Sequence, residues 1–185
     1  MQTDQEYYLK CDDHKVVSIS ELFLDCYPHL YRFGQKMRFK DEKIEDAIHE
    51  VFINLIKRIQ IDDNLYIEKP KPYLFSALRH QLLRGNQQES KLPVDSIEEK
   101  VFDVNNIKEV IDQNDNEVLL RFLDNAIGEL PPRMQEAFRL SREEGFTYKE
   151  IGQIMKISSN TVENHIAKAF QYISEKAENF QLLHQ

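Results

Sequence analysis

The chain has no tryptophan, two cysteines, five glycines and six prolines among its 185 residues. The cysteines, Cys11 and Cys26, do not fall in a C-x-x-C spacing. That argues against a disulfide framework or a zinc site and fits a reducing cytosol. So little Gly and Pro, beside abundant Glu, Lys, Leu and Ile, disfavours a sandwich of short strands and favours helices. No apolar run approaches ~18 residues, so no membrane-inserted segment is expected. Residues 1–10 carry acids and tyrosines where a signal peptide needs a basic start and an apolar core. A cytoplasmic location follows as an expectation. Six histidines are scattered at 14, 29, 49, 80, 165 and 184. With no H-E-x-x-H, Gly-rich phosphate loop or nucleophile elbow, neither an enzyme nor a bound metal or cofactor is expected.

The formal net charge is −8, an unusual balance for a protein that grips phosphates by itself. The excess is local: residues 91–120 hold three basic and eight acidic side chains, whereas residues 121–185 hold eight and nine. The flanking regions are near neutral, and neither is basic enough for tight, autonomous DNA binding.

Apolar periodicity organises the rest. Ser18 and Glu21 form an S-x-x-E capping box, followed by Leu22, Cys26, Leu30 and Phe33 at helical spacing. Pro28 lies within this pattern as a candidate kink, and Gly34 as a loosening point. Asp41 is the expected N-cap of a second helix, whose Ile44, Ala47, Ile48, Val51, Phe52, Leu55 and Ile59 form one apolar stripe. A loop over 61–71 contains Asp62-Asp63-Asn64, and Pro72 suits the first turn of a third helix ending at Gly85-Asn86. Residues 91–114 read as a polar, acidic linker, with a short helix near 106–111; the competing reading is a packed segment between two halves of one domain. Four further helices follow, one over 116–127, one opening at Pro131-Pro132, a short one capped by Thr147-x-x-Glu150, and one capped by Ser158 that runs past Ile173. The expected fold is all-α: two small helical domains, residues 1–90 and 115–185, joined by the linker.

Residues 147–174 have the size and pattern of a helix-turn-helix. The short helix turns Ile151, Ile154 and Met155 inward, and the next buries Val162, Ile166, Ala169 and Ile173. Gly152 leaves no side chain where two such helices cross. Outward early positions of the second helix, Ser159, Asn160, Glu163, Asn164 and Lys168, are then free for a major groove. Asn can pair with an adenine edge, Glu can accept from a cytosine amino group, and Lys reaches guanine or phosphate. Amides at the Ser158–Asn160 end can hold a phosphate. A helical hairpin that packs only against protein remains the alternative.

The stretch Gly128-Glu129-Leu130-Pro131-Pro132-Arg133, then Glu144-Gly145-Phe146-Thr147-Tyr148-Lys149-Glu150-Ile151-Gly152, then Ile157-Ser158-Ser159-Asn160-Thr161-Val162 resembles the last domain of extracytoplasmic-function sigma factors, especially those of the Bacteroides group. Glu45-Asp46-Ala47-Ile48-His49-Glu50-Val51-Phe52 is similar to the signature of sigma region two, and Tyr73-Leu74-Phe75-Ser76-Ala77-Leu78-Arg79-His80 to the stretch that follows it. Together these matches cover residues 18–90 and 115–178 in the family order.

The resemblance implies a function. Residues 1–90 act as region two, with Glu45, Asp46, His49, Glu50 and Asn54 gripping the clamp of core RNA polymerase; without the resemblance, a solvated helix face is the ordinary reading. The loop and third helix hold the promoter −10 element and a flipped base, for which Asn64, Tyr66, Lys71, Tyr73, Arg79 and Arg84 are the candidates. Core packing is the equal alternative for Tyr73. Region four, residues 115–185, reads the −35 element through Ser158, Ser159, Asn160, Thr161, Glu163, Asn164 and Lys168. The resemblance also implies an anti-sigma factor as a partner beside core polymerase and promoter DNA. Several positions depart from the family: His49 for Gln, His80 for Asn, a thin basic run after Arg84, and Lys156 at a turn position often filled by Gly. If that turn needs positive φ, Lys costs roughly 1–2 kcal/mol there.

Two other classes compete. A LuxR-type helix-turn-helix regulator also ends in T-V-x-x-H, but its N-terminal half should alternate strands and helices. A protein-binding helical scaffold needs none of the polar positions above.

Overall fold

The computed structural model describes residues 6–12, 15–84 and 116–183. It is mostly helical, with seven helices and one small hairpin among these residues. The chain divides into two compact units, one built on its N-terminal part and the other on its C-terminal part. The linker at 91–114, the short helix near 106–111 and the Gly85-Asn86 stop lie outside the described residues.

The N-terminal unit opens on a feature that the all-α expectation lacks. Strands β1 (Tyr8–Lys10) and β2 (Val16–Ser18) pair antiparallel, with Tyr8 opposite Ser18, Leu9 opposite Val17 and Lys10 opposite Val16. Leu9 is fully buried and anchors the hairpin. Ser18 ends β2 and caps helix α1 (Ile19–Lys36), its hydroxyl accepting from the Glu21 amide at 3.4 Å. The same hydroxyl donates to Glu6 at 2.8 Å. Ile19, Leu22, Cys26, Leu30 and Phe33 are buried as the spacing requires. Pro28 sits on the exposed side, and α1 continues past it to Lys36.

Gly34 is a packing device and does not loosen α1. A Cβ there would lie 2.8 Å from both Cγ atoms of Ile44, so the missing side chain is what lets α1 meet α2 (Asp41–Ile61). The N-cap of α2 is Lys40, with no side-chain cap bond, and Asp41 is the first helical residue. Its carboxylate suits the positive end of the dipole. All seven residues of the α2 stripe are buried.

Helix α3 (Pro70–Arg84) starts two residues before the expected Pro72. Both prolines fit, because amides of a first helical turn need no partner within the helix. The first intrahelical bond runs from the Tyr73 amide to the Lys69 carbonyl at 3.3 Å. Leu74, Phe75, Leu78 and Leu82 are fully buried, and the Phe75 ring lies 5.2 Å from that of Phe33.

In the C-terminal unit, helices α4 (Asn116–Gly128), α5 (Pro132–Arg142) and α7 (Ser159–Leu183) enclose Ala126, Leu130, Met134, Phe138, Ala169 and Ile173. The turn after α4 is fastened to α7 by Glu129, which accepts from the Tyr172 hydroxyl at 2.6 Å and from the Lys176 ammonium. The short helix α6 (Tyr148–Met155) buries Ile151, Ile154 and Met155. Gly145, at φ +70°, makes the break after α5.

Candidate functional site

Three groups of polar side chains emerge from this scaffold. The first lies on α2. Burying its apolar stripe leaves Glu45, Asp46, His49, Glu50 and Asn54 exposed on the other side, as the periodicity predicts. The structure adds neighbours. The His49 ring stacks parallel on Phe23 of α1, with centroids 6.2 Å apart and planes 8° from parallel. Phe23 continues into Tyr27 at 5.2 Å and Tyr27 into Tyr31 at 6.0 Å. These rings stand four residues apart, so one face of α1 carries an aromatic row beside the acidic face of α2. Partial burial, then a hydrogen bond to Asp41, pushes the Tyr31 hydroxyl above its ordinary pKa, so it remains a phenol. Glu50 is also tied to α3, accepting from Gln81 Nε2 at 2.5 Å.

The second group surrounds the α2–α3 loop. Asp62 folds it: its carboxylate accepts from the Asn64 amide at 2.9 Å, and its carbonyl from the Leu65 amide at 2.9 Å. Such Asx turns are why Asp and Asn mark turns. Asn64 and Tyr66 are exposed, as is Arg84 at the end of α3. Lys71 is half-buried, its ammonium 6.0 Å from the Phe75 ring centre. Tyr73 is half-buried, with its hydroxyl accepting from Arg58 at 2.8 Å. The Arg58 guanidinium also lies 5.6 Å from the Tyr73 ring centre. Arg79, also among the candidates, is only 9% exposed. The structure therefore brings Asn64, Tyr66, Lys71 and Tyr73 to the loop and the start of α3, and leaves Arg79 inside.

Two participants here escape the sequence reading. Arg58 occupies the last turn of α2, on a different helix from Tyr73, and helical spacing gives no signal for the pair. Lys10, on β1, donates from its ammonium to Asn64 Oδ1 at 2.6 Å. No periodicity links residues 54 positions apart.

The third group is the helix-turn-helix. Thr147 and Glu150 form both halves of the capping box, the Thr147 hydroxyl accepting from the Glu150 amide at 3.4 Å and the Glu150 carboxylate from the Thr147 amide at 2.8 Å. The turn passes through Lys156 in the left-handed region, at φ 56° and ψ 49°. Gly152 makes room for the turn and for the start of α7: a Cβ there would meet the Ile157 carbonyl oxygen at 2.8 Å and the Ser159 nitrogen at 3.5 Å. Ser158 then caps α7, accepting from the Thr161 amide at 3.0 Å, with the two hydroxyls 2.7 Å apart.

Val162, Ile166 and Ala169 are buried. Ser158, Ser159, Asn160 and Glu163 are exposed, whereas Thr161, Asn164 and Lys168 are half-buried. Asn160 and Glu163 are thus more exposed than Asn164. His165 is half-buried beside them; burial, then the charges of Arg133 and Lys168, hold its pKa below the ordinary value. The imidazole is neutral at pH 7, and Arg133 joins Lys168 as a cation flanking the early part of α7.

Among the described residues, no group of His, Cys, Asp and Glu could hold a metal ion, and no helix is long and apolar enough to cross a membrane.

Comparison with known proteins bears on these groups unequally. Residues 121–173, from within α4 to Ile173, match the family described as Sigma-70, region 4. No curated protein matches the chain. Among solved structures, the chain is similar to the sigma factor RpoE from Bartonella quintana, determined in a co-crystal with the anti-sigma factor NepR. The likeness has a TM-score of 0.56 at 20% identity and covers 86% of this chain and 96% of that one. At that identity it is a likeness of fold, extending across both units.

Proposed function

We propose that this chain is a sigma factor of the extracytoplasmic-function type, which binds core RNA polymerase and directs promoter recognition and melting in the cytoplasm. The observation that carries the proposal is the helix-turn-helix of α6 and α7. Its part from Thr147 to Ile173 lies within the segment matching Sigma-70 region 4, its entry is doubly capped, and Ser159, Asn160 and Glu163 stand exposed on its second helix. Residues 115–185 are region four and read the −35 element; residues 1–90 are region two, joined to it by the linker at 91–114. Within region two, Glu45, Asp46, His49, Glu50 and Asn54 form the polymerase-binding face, and the α2–α3 loop with the start of α3 takes the −10 element. An anti-sigma factor completes the partners. The affinity with the Bacteroides group rests on the sequence motifs.

The described N-terminal residues favour this over a LuxR-type regulator. They form a hairpin and three helices, not the alternating strands and helices of a receiver domain. The charge also fits: a subunit that binds promoters as part of polymerase leaves most phosphate neutralisation to the enzyme.

The experiment is binding to purified core polymerase. The full chain should bind, and Asp46→Lys should weaken binding by about fivefold or more, because like charge at a polar contact is costly. Its melting temperature should not change, since Asp46 is exposed opposite the buried stripe. No binding by the wild type would refute the proposal, and unchanged affinity in the variant would remove α2 from the interface.

A further inference from the structure

The α2–α3 loop is held from outside by the N-terminal hairpin. The Ile67 amide donates to the Lys10 carbonyl at 2.9 Å, and the Asp12 amide to the Glu68 carbonyl at 3.3 Å. Lys10 and Tyr66 form a parallel bridge, so β1 acts as a short edge on which the loop is laid. Gln60 at the end of α2 donates to the Tyr7 hydroxyl at 2.6 Å, adding a tie just before the loop. The buried side chain of Leu9 fixes β1 to the unit, and the loop is thereby fixed to β1. Asp62 alone would fold a turn; the hairpin gives that turn one position.

We infer that the hairpin is a brace for the −10 loop and that Lys10 is a positioning residue that sets which edge of Asn64 faces an unpaired base. This rests on the sigma-factor reading above. An ammonium has donors and no acceptor, so the Asn64 atom 2.6 Å from Lys10 Nζ is the carbonyl oxygen. The Asn64 NH2 group is therefore the one directed away from Lys10. A flipped base arriving at the exposed Asn64 meets the NH2 donors, which pair with a keto oxygen and clash with an exocyclic amine. Without Lys10 the amide is free to turn over, its oxygen can accept from an amine, and the site loses its preference. The ligand class is thus an unstacked base with an acceptor at the contacted edge, such as thymine in preference to cytosine or guanine in preference to adenine.

The test uses full-length protein with core polymerase, transcribing a promoter library randomised across the −10 element. Wild type, Lys10→Met, Lys10→Arg, Asn64→Ala and the Lys10→Met/Asn64→Ala double variant are compared. Lys10→Met should reduce keto-over-amino selectivity at one −10 position by roughly two- to tenfold, the range of one hydrogen bond. Selectivity at −35 should not change, and Lys10→Arg, which keeps a charged donor, should retain most of the −10 selectivity. In the Asn64→Ala background, Lys10→Met should have no further effect. Unchanged −10 selectivity in Lys10→Met would overturn the inference. So would a uniform loss on all promoters, which marks a phosphate contact or a loss of fold, or an effect that persists without Asn64. If the wild type supports no transcription from any promoter, the parent reading fails, and this inference fails with it.

Discussion

A Cβ placed on Gly152 would stand 2.8 Å from the carbonyl oxygen of Ile157, and that same turn returns a hydrogen bond from the Ile157 amide to the Gly152 carbonyl at 3.0 Å. The α6–α7 turn is therefore folded directly onto α6, backbone against backbone, and a methyl group has no flexible neighbour to displace. Gly152→Ala should destabilise the chain by about 1–3 kcal/mol, the usual cost of overpacking. Urea unfolding of the full chain, followed by helix content, measures this. A midpoint equal to the wild type would mean that the turn is free to shift.

Four residues on, Lys156 holds the left-handed conformation that closes α6. A side chain there costs roughly 1–2 kcal/mol relative to Gly, partly offset by the extra freedom that Gly has when unfolded. Lys156→Gly should therefore stabilise the chain by about 0.5–1 kcal/mol net. A lower melting temperature in this variant would contradict the strain assigned to the turn.

These two positions show what a sequence discloses. The capping box at Thr147–Glu150, the α2 stripe and the proline opening of α5 were legible because each rests on contacts within a few residues. Positive φ at the Lys156 turn was legible only as a departure from a resembling family. The hairpin was not legible, since strands of three residues fall below the length at which alternation can be read. Gly34 reads as a weak point in α1 until Ile44 of α2 is placed against it. The burial of Arg79 was not legible, because burial of a charge depends on partners distant in the chain. The Lys10–Asn64 bond fails for the same reason. The exposure of the candidate residues was thus readable where they lie on one helix, as on α2 and early α7, and their contacts were unreadable where separate segments assemble them, as at the α2–α3 loop.

Protonation of His165 gives a pH dependence. Its folded pKa lies below the ordinary 6.5, first through burial and then through Arg133 and Lys168. The unfolded chain then binds the proton more readily, so acidification favours unfolding. The contribution is intact above about 6.5, the unfolded value, and is lost progressively as pH falls below it towards the folded pKa. The melting temperature should fall between pH 7 and pH 5.5 by less in His165→Gln than in the wild type. Identical slopes would remove His165 as a cause.

Asn160 is exposed in the first turn of α7, one turn before the half-buried Asn164. If α7 enters the major groove, Asn160→Ala should cost roughly 1–3 kcal/mol on the preferred promoter and relax preference at one −35 position. Stability should be unchanged, because the side chain is exposed before DNA arrives. Transcription from a library randomised over the −35 element checks this. Identical preferences in the two proteins would remove Asn160 from the reading face.

The most direct measurement is reconstituted transcription. Purified core RNA polymerase, free of other sigma factors, is supplied with this chain and a mixture of genomic promoter fragments, and transcript starts are mapped. A sigma factor yields discrete starts that depend on the added chain and share sequences at the −10 and −35 positions. Core polymerase that gains no specific starts when this chain is present, on any fragment, would contradict the account.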